Sequence, residues 1–153
     1  MTSADGGGSF VDEARRRVLA HARRRRQAGL TDVLYAVVRS TSGSLYDGTP
    51  FETSMPQFDF CAERHAINNM LHAEPETDAF TDLLVAEPVP DESTDPKTPC
   101  GACRHAILEF GDDATVYCAS FVRESDGWTM FPRLNRYTAA ELYPDHQDHP
   151  SWD

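Results

Sequence analysis

Leu83-Leu84-Val85 is apolar at three successive positions. A strand with one wet face alternates, so this run predicts a strand buried on both sides, in a sheet covered by helices on each face. Helices are readable on either side of it. Upstream, Cys61 to His72 reads as a helix in which Ala62, Ala66, Asn69 and Met70 allow close packing. Downstream, Glu87 to Pro99 is Pro- and Asp-rich and reads as a loop, and Arg104 to Phe110 as a helix stopped by Gly111. Thr115 to Val122 then reads as a strand, Trp128 to Phe131 as a short further one, and Thr138 to Leu142 as a last helical turn. Toward the N-terminus, the β-branched run Val33 to Val38, the turn Thr41-Ser42-Gly43 and Leu45-Tyr46 make a hairpin. Before it, Val11, Ala14, Val18 and Ala22 recur at helical spacing between Phe10 and Ala28, with Leu19 widening the stripe. Asp12 and Glu13 lie early and the arginines late, as the helix dipole favours, and Gly29 is a natural stop. The expected fold is α/β, a three-layer α/β/α sandwich around a mixed five-stranded sheet. No internal repeat is visible. Residues 1–9 read as a disordered Gly- and Ser-rich tail, 10–145 as a single domain, and 146–153 as a polar C-terminal tail.

A chain of 153 residues, 40% apolar and 25% charged, has globular composition and the length of one domain. No run approaches 18 apolar residues, which excludes a spanning helix, and Met1 to Ser9 lacks a signal-peptide pattern, so the cytoplasm is expected. Fourteen Lys+Arg against 25 Asp+Glu leave a net charge of −11, which repels phosphate backbones and disfavours nucleic acid and anionic membranes as partners. Basic residues are concentrated in the first helix, between Arg15 and Arg26, and Lys97 is the sole lysine. An acidic, lysine-poor chain suits either a high-salt cytoplasm or a GC-rich genome, and both readings stay open. The run Arg23 to Arg26 reads as a solvated helix end or a surface for an acidic neighbour.

The four cysteines carry the chemical signal. Cys100 and Cys103 form a C-x-x-C pair, Cys61 stands alone upstream, and Cys118 lies inside an apolar run where it reads as a small core residue. Cys61-Ala62-Glu63 and Pro99-Cys100-Gly101-Ala102-Cys103 each open a helix, where the dipole and unpaired N–H groups favour thiolate. Three thiolates would hold Zn²⁺ and leave a fourth position for water, with Glu63 placed to act on that water. A structural site that recruits Cys118 is the competing reading. The pairing of C-x-E with P-C-x-x-C matches the zinc-deaminase signature, in which a carboxylate that is not a ligand shuttles protons. Among the other candidates, His65, His72 and His105 read as packing or surface residues, and His146 and His149 as part of a solvated tail. Phe58 and Phe60 alternate onto one face, either core or a wall for a heterocycle.

Beyond the signature, Cys61-Ala62-Glu63-Arg64-His65-Ala66-Ile67 and the stretch Pro99-Cys100-Gly101-Ala102-Cys103-Arg104-His105 through Phe110 resemble the cytidine deaminase family. Gly43 to Gly48 and Thr138 to Pro144 extend the resemblance over roughly residues 10 to 145. It implies a cytidine-deaminase-like fold and a hydrolase acting on a cyclic amidine, converting cytidine or deoxycytidine to the uridine counterpart with release of ammonia. It further implies one Zn²⁺ per chain on Cys61, Cys100 and Cys103, Glu63 as the catalytic residue, and Arg104 as the family arginine that offsets thiolate charge. Glu52, Phe51 and Ala62 would contact the substrate, and the chain would be a homo-oligomer, a tetramer by preference. Two departures bear on the substrate. The family's ribose-binding Asn-x-Glu is here Pro50-Phe51-Glu52, so Pro50 offers neither a side-chain hydrogen bond nor an N–H. The Pro-Tyr-Ser-x-Phe segment is missing around Gly29 to Val33. A modified cytosine nucleoside of the blasticidin-S type, or another amino-heterocycle, is therefore an alternative substrate. The non-enzymatic alternative is a structural zinc module that binds a partner through the Arg-rich helix.

Overall fold

The doubly buried run lies at the centre of its sheet. In a computed structural model, which describes residues 2–123 and 129–144, the helix α1 (Thr2–Gln27) leads to strands β1 (Tyr35–Ser40) and β2 (Leu45–Gly48). Next come helix α2 (Ala62–Ala73), strand β3 (Phe80–Pro88) and helix α3 (Gly101–Phe110). Strands β4 (Thr115–Arg123) and β5 (Thr129–Thr138) and the short helix α4 (Ala139–Leu142) complete the order. The five strands lie in the order β2-β1-β3-β4-β5, with β3 and β4 parallel and every other pair antiparallel. Register explains why the Leu-Leu-Val run needed no polar position. The row Val37, Leu84, Tyr117 packs under Phe10, Ala14 and Val18 of α1, and the adjacent row Val38, Leu83, Val116 packs under Ala66, Met70 and Ile107 of α2 and α3. The expected three-layer α/β/α sandwich with a mixed five-stranded sheet is the observed architecture.

Two boundaries differ from expectation. Helix α1 begins at Thr2, so residues read as a loose tail have helical backbone. A helix anchored by Phe10, Ala14 and Val18 is already nucleated, and extension then needs only one backbone bond per added residue, even through glycine. Strand β5 runs to Thr138, well past Phe131, because it pairs with β4 along nearly its whole length. Arg133, Asn135 and Arg136 break the apolar run and hide it, since an edge strand tolerates polar and charged residues. The tail 146–153 and Trp128 lie outside the described residues.

Helix α2 approaches β2 unusually closely, and Gly48 is the reason. A Cβ built there would lie 2.3 Å from the Ala66 nitrogen and 2.5 Å from the Ala62 carbonyl oxygen, both backbone atoms. The far end of α2 is tied to the same hairpin through Glu74, whose carboxylate accepts from Ser40, Ser42 and Tyr46. The Tyr46 hydroxyl first, then the two serines, hold the Glu74 carboxyl below the usual carboxylate range.

Two outcomes follow. Gly48→Ala should lower stability by about 1–3 kcal/mol or more, measured by urea unfolding, because helix backbone cannot move aside as a side-chain tip can. A carboxyl with a lowered folded pKa stabilises above its ordinary value of about 4.3 and loses that contribution as pH falls further. Tyr46→Phe should therefore destabilise at about pH 7, and its gap from wild type should close as the pH is taken below about 4.

Candidate metal and active site

Both sequence motifs end up at helix starts. Cys61 is the N-cap of α2 and Cys100 the N-cap of α3, each with extended backbone and no side-chain cap bond. Their carbonyls accept the first helical bonds, from the N–H of His65 at 3.1 Å and of Arg104 at 2.9 Å. The sulfurs are thereby left free to face each other across the gap between the helices. Cys103, in the first turn of α3, is fully buried and supplies the third. The three Sγ atoms lie within 4.8 Å of one another, and Cys61 and Cys100 are 3.6 Å apart. Tetrahedral zinc with bonds of about 2.3 Å would space its sulfurs about 3.8 Å apart, so the cluster fits one zinc ion. Soft thiolates favour zinc over hard cations. Cys118 is not in this group; it is buried in β4, paired with Val85, inside the apolar layer under α2 and α3.

The thiols respond differently to their surroundings. Burial pushes Cys103 far up, reinforced by the charges of Glu63, Cys61 and Cys100. Cys100 is also desolvated, yet hydrogen bonds from the Cys103 backbone, from Cys61 and from Ala102 outweigh burial and bring it down. Such a cluster favours a cation at its centre, which cancels the repulsion among thiolates.

Glu63 lies in the first turn of α2 and is 4% exposed. Burial raises its pKa, against the opposing effects of its own backbone N–H, a hydrogen bond with Cys103 and the charge of Arg64. It forms part of the floor of a cleft of about 590 Å³, together with Cys61, Ala62 and Cys100. Pro50 and Glu52 line the same cleft. The structure thus brings together the three cysteines, Glu63, Ala62 and Glu52.

It separates two others. Phe51 does not line this cleft; it lines the neighbouring apolar groove with His65 and Phe110. Alternation explains the split, since Phe51 forms an extended bridge with Phe60 and its neighbours Pro50 and Glu52 point to the opposite side. Arg104 does not reach the thiols either. Its guanidinium donates to the Pro99 carbonyl at 2.8 Å, the Leu142 carbonyl at 2.7 Å and the Thr98 hydroxyl, which ties the Cys100 loop to α4. The arginine beside the thiols is Arg64, which donates to Cys61 Sγ at 3.7 Å. The spacing held that signal: Arg64 lies three residues after Cys61, hence on the same helix face. Glu87 and Lys97, a pair 4.0 Å apart on the cleft wall, were also missed. The position of Glu87 near the carboxyl end of a strand in a parallel pair could have marked it. Phe58 and Phe60 are 57% and 53% exposed, so neither is core, and Phe60 lines the cleft.

The sequence pattern of the cytidine and deoxycytidylate deaminase zinc-binding region matches residues 9–119. The chain belongs to this family. Its fold resembles the cytidine deaminase of Burkholderia pseudomallei, with a TM-score of 0.59 and 24% identity over 73% of this chain and 79% of that one. It also resembles a mutant cytidine deaminase of Mycobacterium tuberculosis, with a TM-score of 0.52 and 18% identity over 78% of this chain and 79% of that one. Among the described residues, no helix is long and apolar enough to cross a membrane.

Membership in a zinc-binding family and the three-thiol geometry give one expectation for the metal. Elemental analysis should find about one zinc per chain in the wild type and in Cys118→Ser, and a small fraction of that in Cys61→Ser, Cys100→Ser or Cys103→Ser. Zinc lost from Cys118→Ser but kept by Cys61→Ser would contradict this assignment.

Proposed function

We propose that the protein hydrolyses an amino-pyrimidine nucleoside, cytidine or deoxycytidine, to its uridine counterpart and ammonia. The observation that carries this reading is the placement of Glu63, a buried carboxyl on the floor of an open cleft beside the three thiols. A structural zinc module has no use for that carboxyl, and burying it costs free energy unless it works. Zinc on Cys61, Cys100 and Cys103 supplies Lewis acidity, so that a water can act as nucleophile near neutral pH.

The chain's own residues do the rest. Glu63 takes a proton from the attacking water and delivers it to the ring nitrogen next to the amino-bearing carbon. A C–O bond forms at that carbon. Glu63 then carries the second water proton to the amino group, the C–N bond breaks, and ammonia leaves behind a carbonyl. One carboxyl serves both transfers because it lies between the water and the ring, and the pKa raised by burial suits a group that must both take and give a proton. Arg64 offsets the excess negative charge of three thiolates. Arg104 holds the loop carrying Cys100. Ala62 leaves room on the cleft floor, and Glu52 accepts a hydroxyl or amino hydrogen from the substrate.

Pro50 in the cleft wall favours a second reading for the substrate. Where the family places an asparagine against ribose, position 50 is apolar, which suits a modified cytosine nucleoside of the blasticidin-S type or another amino-heterocycle. The family resemblance favours a homo-oligomer, a tetramer by preference, for which exposed Phe51 and Phe58 offer apolar contact area, and the cytoplasm fits this chemistry.

Ammonia release measured over cytidine, deoxycytidine, cytosine, a blasticidin-type nucleoside and an aminopurine tests the reading. Glu63→Gln should retain zinc and lose about 10²–10⁴-fold in kcat on whichever substrate reacts, the usual worth of general acid–base catalysis. Undiminished turnover in that variant would remove Glu63 from the mechanism. Inert cytidine beside a reactive second heterocycle would leave the deaminase chemistry and displace the cytidine assignment.

A further inference from the structure

The wall that carries Pro50 and Glu52 is not part of any regular element, yet α2 grips it. Helix α2 presents His65 and Asn69, four residues apart and therefore on one face, toward the exit of β2. Asn69 Nδ2 donates to the Asp47 carbonyl at 2.7 Å. His65 Nδ1 lies 2.9 Å from the Thr49 carbonyl oxygen and 3.2 Å from the Thr49 nitrogen. The tautomer protonated at Nδ1 donates to the carbonyl, and the other accepts from the N–H, so Thr49 is engaged in either form. Between these two attachments lies Gly48, whose missing side chain admits the α2 backbone.

Thr49 is a critical point in the chain. Pro50 follows it and has no N–H, so Thr49 is the last residue before the wall whose backbone offers both a donor and an acceptor. On the other side of Pro50, the wall is held by reciprocal bonds between Phe51 and Phe60, at 3.0 and 2.9 Å. Phe60 directly precedes Cys61. The wall is thus fastened to α2 at Thr49 and, at Phe51, to the residue that leads into Cys61.

We propose that His65 and Asn69 are positioning residues that set the distance of the Pro50–Glu52 wall from Glu63, and so determine how substrate is held. This rests on the deaminase reading above, in which Glu52 contacts substrate. Neither side chain touches the cleft floor, so their removal should affect binding and leave the proton transfers alone.

The test uses zinc-loaded His65→Leu, His65→Asn and Asn69→Ala, with two readouts: KM and kcat for ammonia release, and amide hydrogen exchange over residues 48–52. In His65→Leu, KM should rise about tenfold, roughly one net hydrogen bond, with kcat changed less than about threefold. Exchange over 48–52 should speed up in the same variant while zinc content holds. His65→Asn, whose side-chain amide lies where Nδ1 was, should restore both. Asn69→Ala should show the same pattern at smaller amplitude, and it decides the question if His65→Leu does not fold. Unchanged KM and exchange, a fall in kcat at constant KM, or no rescue by asparagine would overturn the proposal. If the wild type releases ammonia from no substrate offered, the deaminase reading fails. Exchange then decides alone: faster exchange rescued by asparagine keeps the clamp, and unchanged exchange overturns it.

Discussion

Three thiols held within 4.8 Å of one another are the constraint on which the site depends. They come from two helix starts far apart in sequence, so α2 and α3 must both open at the same place. The sheet arranges this. A parallel β3–β4 pair requires a crossover, and α3 with the loop that precedes it is that crossover, following the carboxyl end of β3. Helix α2 lies on the same face and packs its Ala62, Ala66 and Met70 onto the β1 and β3 rows. Two helix N-termini then point their partial positive charge at the sulfurs, and Arg64 adds a full one.

The same arrangement explains why Glu63 is buried beside the thiols without being one of their cluster. Its position in the first turn of α2 fixes it next to Cys103, beneath the open cleft. The close contact at Gly48 matters here because sideways movement of α2 would carry Cys61 and Glu63 with it. The bonds from Ser40, Ser42 and Tyr46 to Glu74 hold the far end of the helix against the same hairpin.

Much of this was readable in the residues themselves. The non-alternating Leu83-Leu84-Val85 run revealed the covered sheet, and C-x-E with P-C-x-x-C revealed the thiols and their carboxylate. What escaped was whatever depends on direction. Phe51 reads as an apolar wall for the substrate beside Glu52, but successive extended residues face opposite sides. The family resemblance assigns the charge-offsetting role to Arg104. Its guanidinium turns instead to the Pro99 and Leu142 carbonyls, and a link to α4 was beyond any local reading. Strand β5 was shortened because pattern reading rewards apolar runs, and an edge strand need not contain one. The bonds from α2 to Thr49 join residues of two elements, and no spacing rule announces them.

In the proposed site, Cys61, Cys100 and Cys103 alone hold the metal and leave a fourth position for water. X-ray absorption at the zinc edge of the purified protein tests it directly. The expected spectrum shows three sulfurs at about 2.3 Å and one lighter atom at about 2.0–2.2 Å. A shell of four sulfurs, which would bring in Cys118, or of two sulfurs with two nitrogens, would contradict it.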